Sequence, residues 1–160
     1  MGQGRDDRHQ ADQRARRVGC REALVQGGVP PPANGFYEWQ QLSDQQGGGK
    51  QPFYIHPVGG EFFALAGLWE RWARPADGAE LDTFTIVTTE ANAAMRPLHD
   101  RMPVILAPGD WWAWLNGATA VDQVQGLVRP CPEAALAVYA VGRAVGNVRN
   151  EGAGLIQPLV

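Results

Sequence analysis

Apolar and polar residues alternate along most of this chain, in short runs separated by glycine, proline and polar clusters. This period of two is typical of β-strands that bury one face. Strands are therefore predicted at residues 35–39, 51–58, 61–71, 82–88, 102–107 and 136–143. Gly59 and Gly60 separate the second strand from the third, so the pattern predicts a hairpin there.

Helical patterns are fewer and shorter than strand patterns. Thr88 or Thr89 can cap a helix with Glu90 in its first turn, and Pro97 limits that helix to about two turns. A second helix is predicted over residues 108–116, opened by proline and followed by glycine. Because strands outnumber helices and follow one another by hairpins, the predicted fold class is α+β: mainly antiparallel β, a half-open barrel-like sheet with a few short helices.

The first 28 residues do not share this pattern. They contain six arginines and few large apolar side chains, and no helical or alternating period is visible. A poorly ordered segment is expected at residues 1–28, followed by one domain at residues 29–160. A solvated tail explains these arginines better than a DNA-binding arm does.

The composition narrows the class of protein. The chain has 160 residues, of which 44% are hydrophobic and 19% charged, and its net charge is −3. These values are ordinary for a globular domain, and the bulk charge gives no evidence for nucleic-acid binding. No apolar run approaches the ~18 residues of a membrane span, and the Arg-rich start lacks the apolar segment of a signal peptide. A cytoplasmic location without a membrane partner is expected.

Cysteines and histidines are few and far apart in the sequence. Cys20 and Cys131 make neither a CxxC pair nor a disulfide framework. His9, His56 and His99 are widely spaced, so neither a metal site nor a cofactor is expected.

Glu38 lies within an aromatic stretch. Alternation places it beside Phe36 on one face of the strand, with Tyr37 and Trp39 on the other face. A carboxylate that is partly desolvated beside an apolar side chain is suited to proton transfer. A strand-edge glutamate paired with an arginine would give the same sequence, so both interpretations stay open.

His99 lies in a stretch that is otherwise built to be buried. It is followed directly by Asp100 and Arg101, and an apolar strand is predicted after them. An imidazole beside a carboxylate can be held in one tautomer and can exchange a proton near neutral pH. A structural loop histidine is the commoner case, but the adjoining charges favour a functional one here.

Two groups of tryptophans could contact nucleic acid. Trp111 and Trp114 share one face of the second predicted helix, and Trp69 and Trp72 flank Arg71. Exposed indole rings can stack on bases. Packing in the core or at its rim is nevertheless the better explanation of both groups.

Several segments in this order resemble the SOS response-associated peptidase (SRAP) family, over about residues 29–160. They are GFYEW at 35–39, the strand pair that ends in AGLWE, FTIVTTEAN with LHDRMPVIL within 84–106, the Trp-rich helix at 110–115, and VGNVRNEG with LIQPL within 145–159. The combination of GFYEW and HDRMP in this order makes the resemblance specific.

The resemblance implies a protein that binds single-stranded DNA and shields abasic sites in the DNA damage response. Family members use an N-terminal cysteine, which self-removal of the leading residues exposes. Its α-amine forms a Schiff base with the ring-opened sugar aldehyde, and its thiol closes a thiazolidine ring. Glu38 matches the glutamate that moves protons in this reaction, and His99 matches a histidine that assists it.

The same resemblance suggests which residues contact DNA. Trp39, Trp69, Arg71, Arg101 and Arg149 are expected to do so, the arginines through phosphates. The implied partner is single-stranded DNA with abasic sites, the expected location is the nucleoid in the cytoplasm, and a monomer is expected.

The N-terminal part of the chain departs from the family pattern. Gly2 stands where the family has its cysteine, and the family's Cys-Gly-Arg opening and Asn-Ala-Arg-type segment are missing. Cys20 is internal and has no free α-amine. Residues 1–28 are therefore interpreted as a frameshifted or misassigned start, and covalent activity is not expected of the chain as it stands. Gln40 and Gly146 stand where lysine and asparagine are usual.

Two other interpretations stay open. A DNA-binding remnant without catalysis would keep the groove and lack the nucleophile. A hydrolase in which Glu38 and His99 activate water on a peptide or ester would need a metal ion or an oxyanion site, and the sequence shows neither.

Overall fold

The computed structural model describes residues 28–60 and 62–159. The segment predicted to be poorly ordered, residues 1–28, lies outside the described residues except for Gly28. The described chain is mainly extended, in short strands. These are β1 Gly28–Val29, β2 Pro32–Ala33, β3 Phe36–Gln41, β4 Lys50–Pro57, β5 Phe63–Leu65, β6 Gly67–Ala73, β7 Glu80–Ile86, β8 Thr88–Glu90, β9 Arg101–Pro103, β10 Ile105–Leu106 and β11 Leu136–Ala140.

All of these strands pair antiparallel. They form three three-stranded sheets, with the orders β1-β6-β7, β10-β5-β2 and β11-β4-β3, and the pair β8-β9. No sheet of the described residues closes on itself. The predicted fold, mainly antiparallel β in a half-open arrangement with few helices, is confirmed.

Three backbone hydrogen bonds join the sheets in a small ring. The Ala66 N–H donates to the Val104 carbonyl at 2.8 Å, the Val104 N–H to Val87 at 2.9 Å, and the Val87 N–H to Ala66 at 2.8 Å. Each of these residues lies between two consecutive strands of the chain, so the ring is the point where the strands change sheet. Ala66 and Val104 have no exposed surface, and their buried polar groups are thereby satisfied.

Helices are short. The two α-helices within the described residues are α1 Trp111–Leu115 and α2 Val121–Gly126, and single 3-10 turns lie at Asp44–Gln46, Pro108–Asp110, Glu133–Ala135, Arg143–Gly146 and Ala153–Ile156. The predicted helix at 108–116 is confirmed as a 3-10 turn that continues into α1, whereas α2 was not predicted. No helix of the described residues is long and apolar enough to cross a membrane.

The core has two clusters with β5 between them. Ala64 of β5 belongs to the first cluster, with Leu68, Leu106 and Trp114. Phe63 and Leu65 belong to the second, which also contains the following buried residues: Ile55, Ala91, Met95, Met102, Cys131 and Leu136. Alternate side chains of β5 thus pack into different clusters, which explains why residues 63–68 form an uninterrupted buried run instead of an alternating one.

The predicted hairpin between residues 51–58 and 61–71 is wrong. Strand β4 pairs with β3 and β11, whereas β5 pairs with β2 and β10. Gly59 adopts a positive φ of 69° as a tight turn requires, but the turn leads the chain from one sheet to another. Local turn residues identify a reversal of the chain and do not specify the partner of the next strand.

The predicted helix after Thr88 is also wrong. Thr88–Glu90 is strand β8, paired with β9, and residues 93–98 are successive turns. The Ala91 N–H donates to the Asp100 carbonyl at 2.9 Å, which closes residues 91–100 into a compact loop. This pairing, together with burial of Ala91 and Met95, overrides the helical preference of the local sequence.

Candidate functional site

Glu38 lies in the middle of β3, half-buried, with Phe53 of β4 as its cross-strand neighbour. Phe36, on the same face of β3, packs against Phe63 with ring centroids 6.0 Å apart. This face of β3 therefore points towards the second core cluster, and Glu38 lies at its border. The Glu38 carboxylate accepts no hydrogen bond from another described residue, so it is available to a ligand.

The backbone just before β3 approaches β4 closely. A Cβ added to Gly35 would lie 2.6 Å from the Ile55 carbonyl oxygen and would also meet the Tyr54 ring. Only glycine fits this position without displacing β4. The glycine of GFYEW thus lets β3 approach β4, and the pairing with β4 sets which face of β3 Glu38 occupies.

His99 lies at the end of the loop of residues 91–100. The backbone N–H of His99 donates to the Met95 carbonyl at 3.0 Å, and Met95 has no exposed surface. The imidazole Nδ1 lies 3.0 Å from the Arg101 amide nitrogen, whose N–H it can accept, 3.2 Å from the Arg101 carbonyl oxygen, to which an Nδ1–H can donate, and 3.1 Å from Oδ1 of Asp100. A neutral ring that accepts through Nδ1 carries its proton on Nε2, and a protonated ring can donate to Asp100.

One hydrogen bond joins the strand of Glu38 to the loop of His99. The Gln40 amide, two residues after Glu38 and on the same face of β3, donates to the Pro97 carbonyl at 3.2 Å. Pro97 is two residues before His99. The structure therefore brings the two predicted catalytic residues to one region, although they are 61 positions apart in the sequence.

Arg101 borders this region. Its guanidinium donates to the Thr88 hydroxyl at 2.7 and 3.0 Å and to the Thr88 carbonyl at 2.7 Å. The side chain stays exposed, and no acidic side chain of the described residues pairs with it. Arg101 thus keeps an exposed positive charge next to His99, and this charge forms no ion pair among the described residues.

Arg71 and Trp69 lie on the β6-β7 hairpin. Arg71 forms a bidentate ion pair with Asp82, at 2.6 and 2.9 Å, and lies 3.5 Å from Glu80. The hydrogen bond from Arg71 lowers the pKa of Asp82, and Asp82 and then Glu80 raise the pKa of Arg71. The charge of Arg71 is offset by these carboxylates, which makes it a weaker candidate for a phosphate contact than Arg101.

The remaining predicted DNA contacts are Trp39 and Arg149. Trp39 is 38% exposed and lies on the face of β3 opposite Glu38, 6.4 Å from Tyr37 between ring centroids. Arg149 is exposed in the loop after β11, and its guanidinium has no partner among the described residues. Whether these side chains contact DNA stays a prediction.

Sequence reasoning missed Gln40, Thr88 and Asn92 as parts of the site. Each makes a hydrogen bond to a residue far along the chain, so no local pattern indicates it. The described residues contain no group of three or more His, Cys, Asp or Glu side chains that could hold a metal ion.

Comparison with known proteins decides the family. The family model described as SOS response associated peptidase (SRAP) matches residues 23–148. The chain belongs to the SRAP family. Its curated SRAP relatives carry the name abasic site processing protein: YoqW of Bacillus subtilis is 38% identical over 138 residues, 86% of this chain and 60% of that protein. YedK of Escherichia coli is 33% identical over 129 residues, which cover 79% of this chain and 55% of YedK.

Solved structures share the fold of this chain. A Bacteroides thetaiotaomicron protein superposes with a TM-score of 0.78 at 26% identity, over 88% of this chain and 60% of that one. A phage-related protein of Bordetella bronchiseptica gives a TM-score of 0.58 at 37% identity, and the match covers 74% of this chain and 55% of that one. The chain thus spans about 60% or less of these relatives.

Cys131 lies on the wall of a mostly apolar cavity of about 690 Å³, which none of the predicted site residues lines. Burial raises the pKa of its thiol, so little reactive thiolate is expected in the folded protein. In a Cys20→Ser background, Cys131 is expected to react with iodoacetamide at least about tenfold more slowly in buffer than in denaturant. Equal rates would contradict the burial of Cys131.

Proposed function

We propose that this chain binds single-stranded DNA at abasic sites, with Glu38 and His99 at the sugar, and that it acts in DNA repair at the nucleoid. The observation that carries this proposal is the Gln40–Pro97 hydrogen bond, which joins the strand of Glu38 to the loop of His99 in a member of the SRAP family. The names of the relatives support the choice of substrate.

The side chains of Glu38 and His99 suit a reaction at the ring-opened form of an abasic sugar, which carries an aldehyde at C1′. When a neutral amine attacks that carbon, an N–C bond forms and the carbonyl oxygen takes up a proton. Loss of that oxygen as water then gives an imine: the leaving oxygen needs a second proton, and the nitrogen gives up one proton in each of the two steps. A half-buried carboxyl group and an imidazole can deliver and remove these protons, and we assign Glu38 to the sugar oxygens and His99 to an assisting role.

The nucleophile of this reaction in the family is an N-terminal cysteine, and residue 2 of this sequence is glycine. We therefore divide the function into two parts: recognition of the abasic site, and covalent capture. We assign recognition to the described domain, and capture only to a chain with cysteine at residue 2.

Fluorescence anisotropy tests recognition separately from capture. The chain is titrated onto labelled single-stranded DNA that contains one tetrahydrofuran abasic analogue, which cannot open to an aldehyde. Tighter binding than to the intact strand and to the duplex of the same sequence is expected. Equal affinity for all three DNAs would contradict recognition of the abasic site.

Arg101 and Arg71 provide a matched pair for the phosphate contacts. Arg101→Met is expected to weaken binding and to reduce the slope of log K against log salt by about 0.7, the value for one phosphate contact on a single strand. Arg71→Met is expected to leave the slope unchanged, because Asp82 and Glu80 already offset its charge. Thr88→Val removes one acceptor of Arg101 and keeps the charge, so it controls for local rearrangement. A slope that depends on Arg71 and not on Arg101 would contradict this assignment.

A further inference from the structure

Asn92 connects three segments of the chain at the start of the His99 loop. Its Nδ2 donates to the Cys131 carbonyl at 3.0 Å, and its Oδ1 accepts from the Met95 N–H at 3.0 Å. Its backbone N–H points to the sulfur of Met102 at 3.4 Å. One side chain thus joins the loop to the segment before β11, and its backbone joins the loop to β9.

The orientation of the Asn92 amide is fixed by its two partners. One partner is a carbonyl, which only accepts, and the other is an N–H, which only donates. A flipped amide would place oxygen against oxygen and N–H against N–H. The side chain therefore has one favourable orientation and makes both hydrogen bonds in it.

A continuous path leads from Asn92 to His99. The Met95 N–H donates to the side chain of Asn92, and Met95 is fully buried. The Met95 carbonyl in turn accepts hydrogen bonds from the backbone N–H groups of Leu98 and His99, at 2.8 and 3.0 Å. The Asn92 carbonyl also accepts the Arg96 N–H at 2.9 Å. The position of the His99 backbone thus depends on the turn that Asn92 holds.

We propose that Asn92 is a positioning residue for His99: its amide anchors the 91–100 loop to the Cys131 carbonyl and so holds the imidazole against the Arg101 N–H. The use of this position in abasic-site chemistry rests on the proposed function. The positioning itself is a property of the folded chain and can be measured without DNA.

Long-range ¹⁵N–¹H correlation spectra of the full chain at about pH 8.5, where an ordinary imidazole is neutral, report the tautomer of each histidine. A His99→Gln spectrum assigns the His99 signals. In the unsubstituted chain the His99 ring nitrogens are expected to show one fixed tautomer, because Nδ1 lies 3.0 Å from the Arg101 amide nitrogen and 3.2 Å from the Arg101 carbonyl oxygen. In Asn92→Ala both ring nitrogens are expected to move towards the averaged shifts of a mobile imidazole.

Asn92→Asp separates the two hydrogen bonds. It keeps an oxygen for the Met95 N–H and loses the donor to the Cys131 carbonyl, so an intermediate spectrum is expected. If Asn92→Ala does not fold, Asn92→Asp decides the question. Asn116→Ala is the matched control, because the Asn116 Oδ1 also accepts a backbone N–H of its own turn, from Ala118 at 3.1 Å, and makes no hydrogen bond to the 91–100 loop among the described residues. It should leave the His99 signals unchanged.

Wild-type His99 signals in both Asn92 variants would overturn the proposal, as would the same change in Asn116→Ala. Anisotropy with the tetrahydrofuran-containing strand distinguishes this failure from failure of the proposed function. If the unsubstituted chain does not prefer that strand, the proposed function fails and the spectra still decide the role of Asn92. If it does prefer that strand and the spectra do not change, only the inference about Asn92 fails.

Discussion

Replacement of Trp114 by alanine is expected to lower the free energy of unfolding by about 3–5 kcal/mol. Trp114 is only 2% exposed and packs in the first core cluster beside Leu68 and Val104. Its indole N–H donates to the Gly67 carbonyl at 2.9 Å. Truncation would leave a cavity between α1 and β6 and a carbonyl without its partner, and both effects destabilise the fold.

Trp112→Ala is the matched control, in the same five-residue helix. Trp112 is 74% exposed, so its loss is expected to change the free energy of unfolding by no more than about 0.5 kcal/mol. Urea denaturation followed by circular dichroism measures both variants. Similar losses for the two tryptophans would contradict the assignment of Trp114 to the core.

Glu38→Gln is expected to slow covalent capture of an abasic strand by about 10² to 10⁴-fold. The comparison is made in a chain that carries Gly2→Cys, Gln3→Gly and Gly4→Arg, which places Met-Cys-Gly-Arg at the front. Glutamine keeps the size of the side chain and can neither give nor accept the proton. Affinity for the tetrahydrofuran-containing strand should change much less than the rate, because binding of that analogue needs no proton transfer.

Single-turnover time courses on denaturing gels give the rate of capture. Glu70→Gln is the control, since Glu70 is an exposed glutamate on β6, on a different strand from Glu38. An unchanged capture rate in Glu38→Gln would remove Glu38 from the mechanism. An equal loss in Glu70→Gln would mean that general charge, and not the position of Glu38, controls the rate.

Local patterns predicted the elements better than their partners. The alternation around Glu38 and the β-branched run before Thr88 indicated strands, and β3 and β7 are found there. The proline-opened, Trp-rich segment indicated the helix that contains Trp114. These features depend on neighbours in the sequence, so the sequence alone suffices to recognise them.

The errors arose where distant pairing overrides local preference. Gly59 indicated a reversal, but β4 and β5 belong to different sheets because their partners are β3 and β11 in one case and β2 and β10 in the other. Thr88 and Glu90 suggested a helix start, but they pair with β9 instead. Neither outcome can be derived from propensity, since each depends on residues elsewhere in the chain.

The same limit applies to the site. Glu38 and His99 were predicted from their chemistry, from their surroundings in the sequence and from the resemblance to the SRAP family. The contacts that arrange them, from Gln40 to Pro97 and from Asn92 to Cys131, span 57 and 39 positions. An asparagine or glutamine gives no local sign of such a partner, so only the folded structure shows which amides hold the site together.

The central proposal is that the described domain carries an SRAP site for abasic DNA and that covalent capture depends on a cysteine at residue 2. The most direct test mixes single-stranded DNA that contains one true abasic site with the chain as it stands and with the Gly2→Cys, Gln3→Gly, Gly4→Arg variant, followed by a denaturing gel. A shifted covalent band is expected from the variant and not from the unsubstituted chain. No band from a folded variant, or an equal band from the unsubstituted chain, would contradict the proposal.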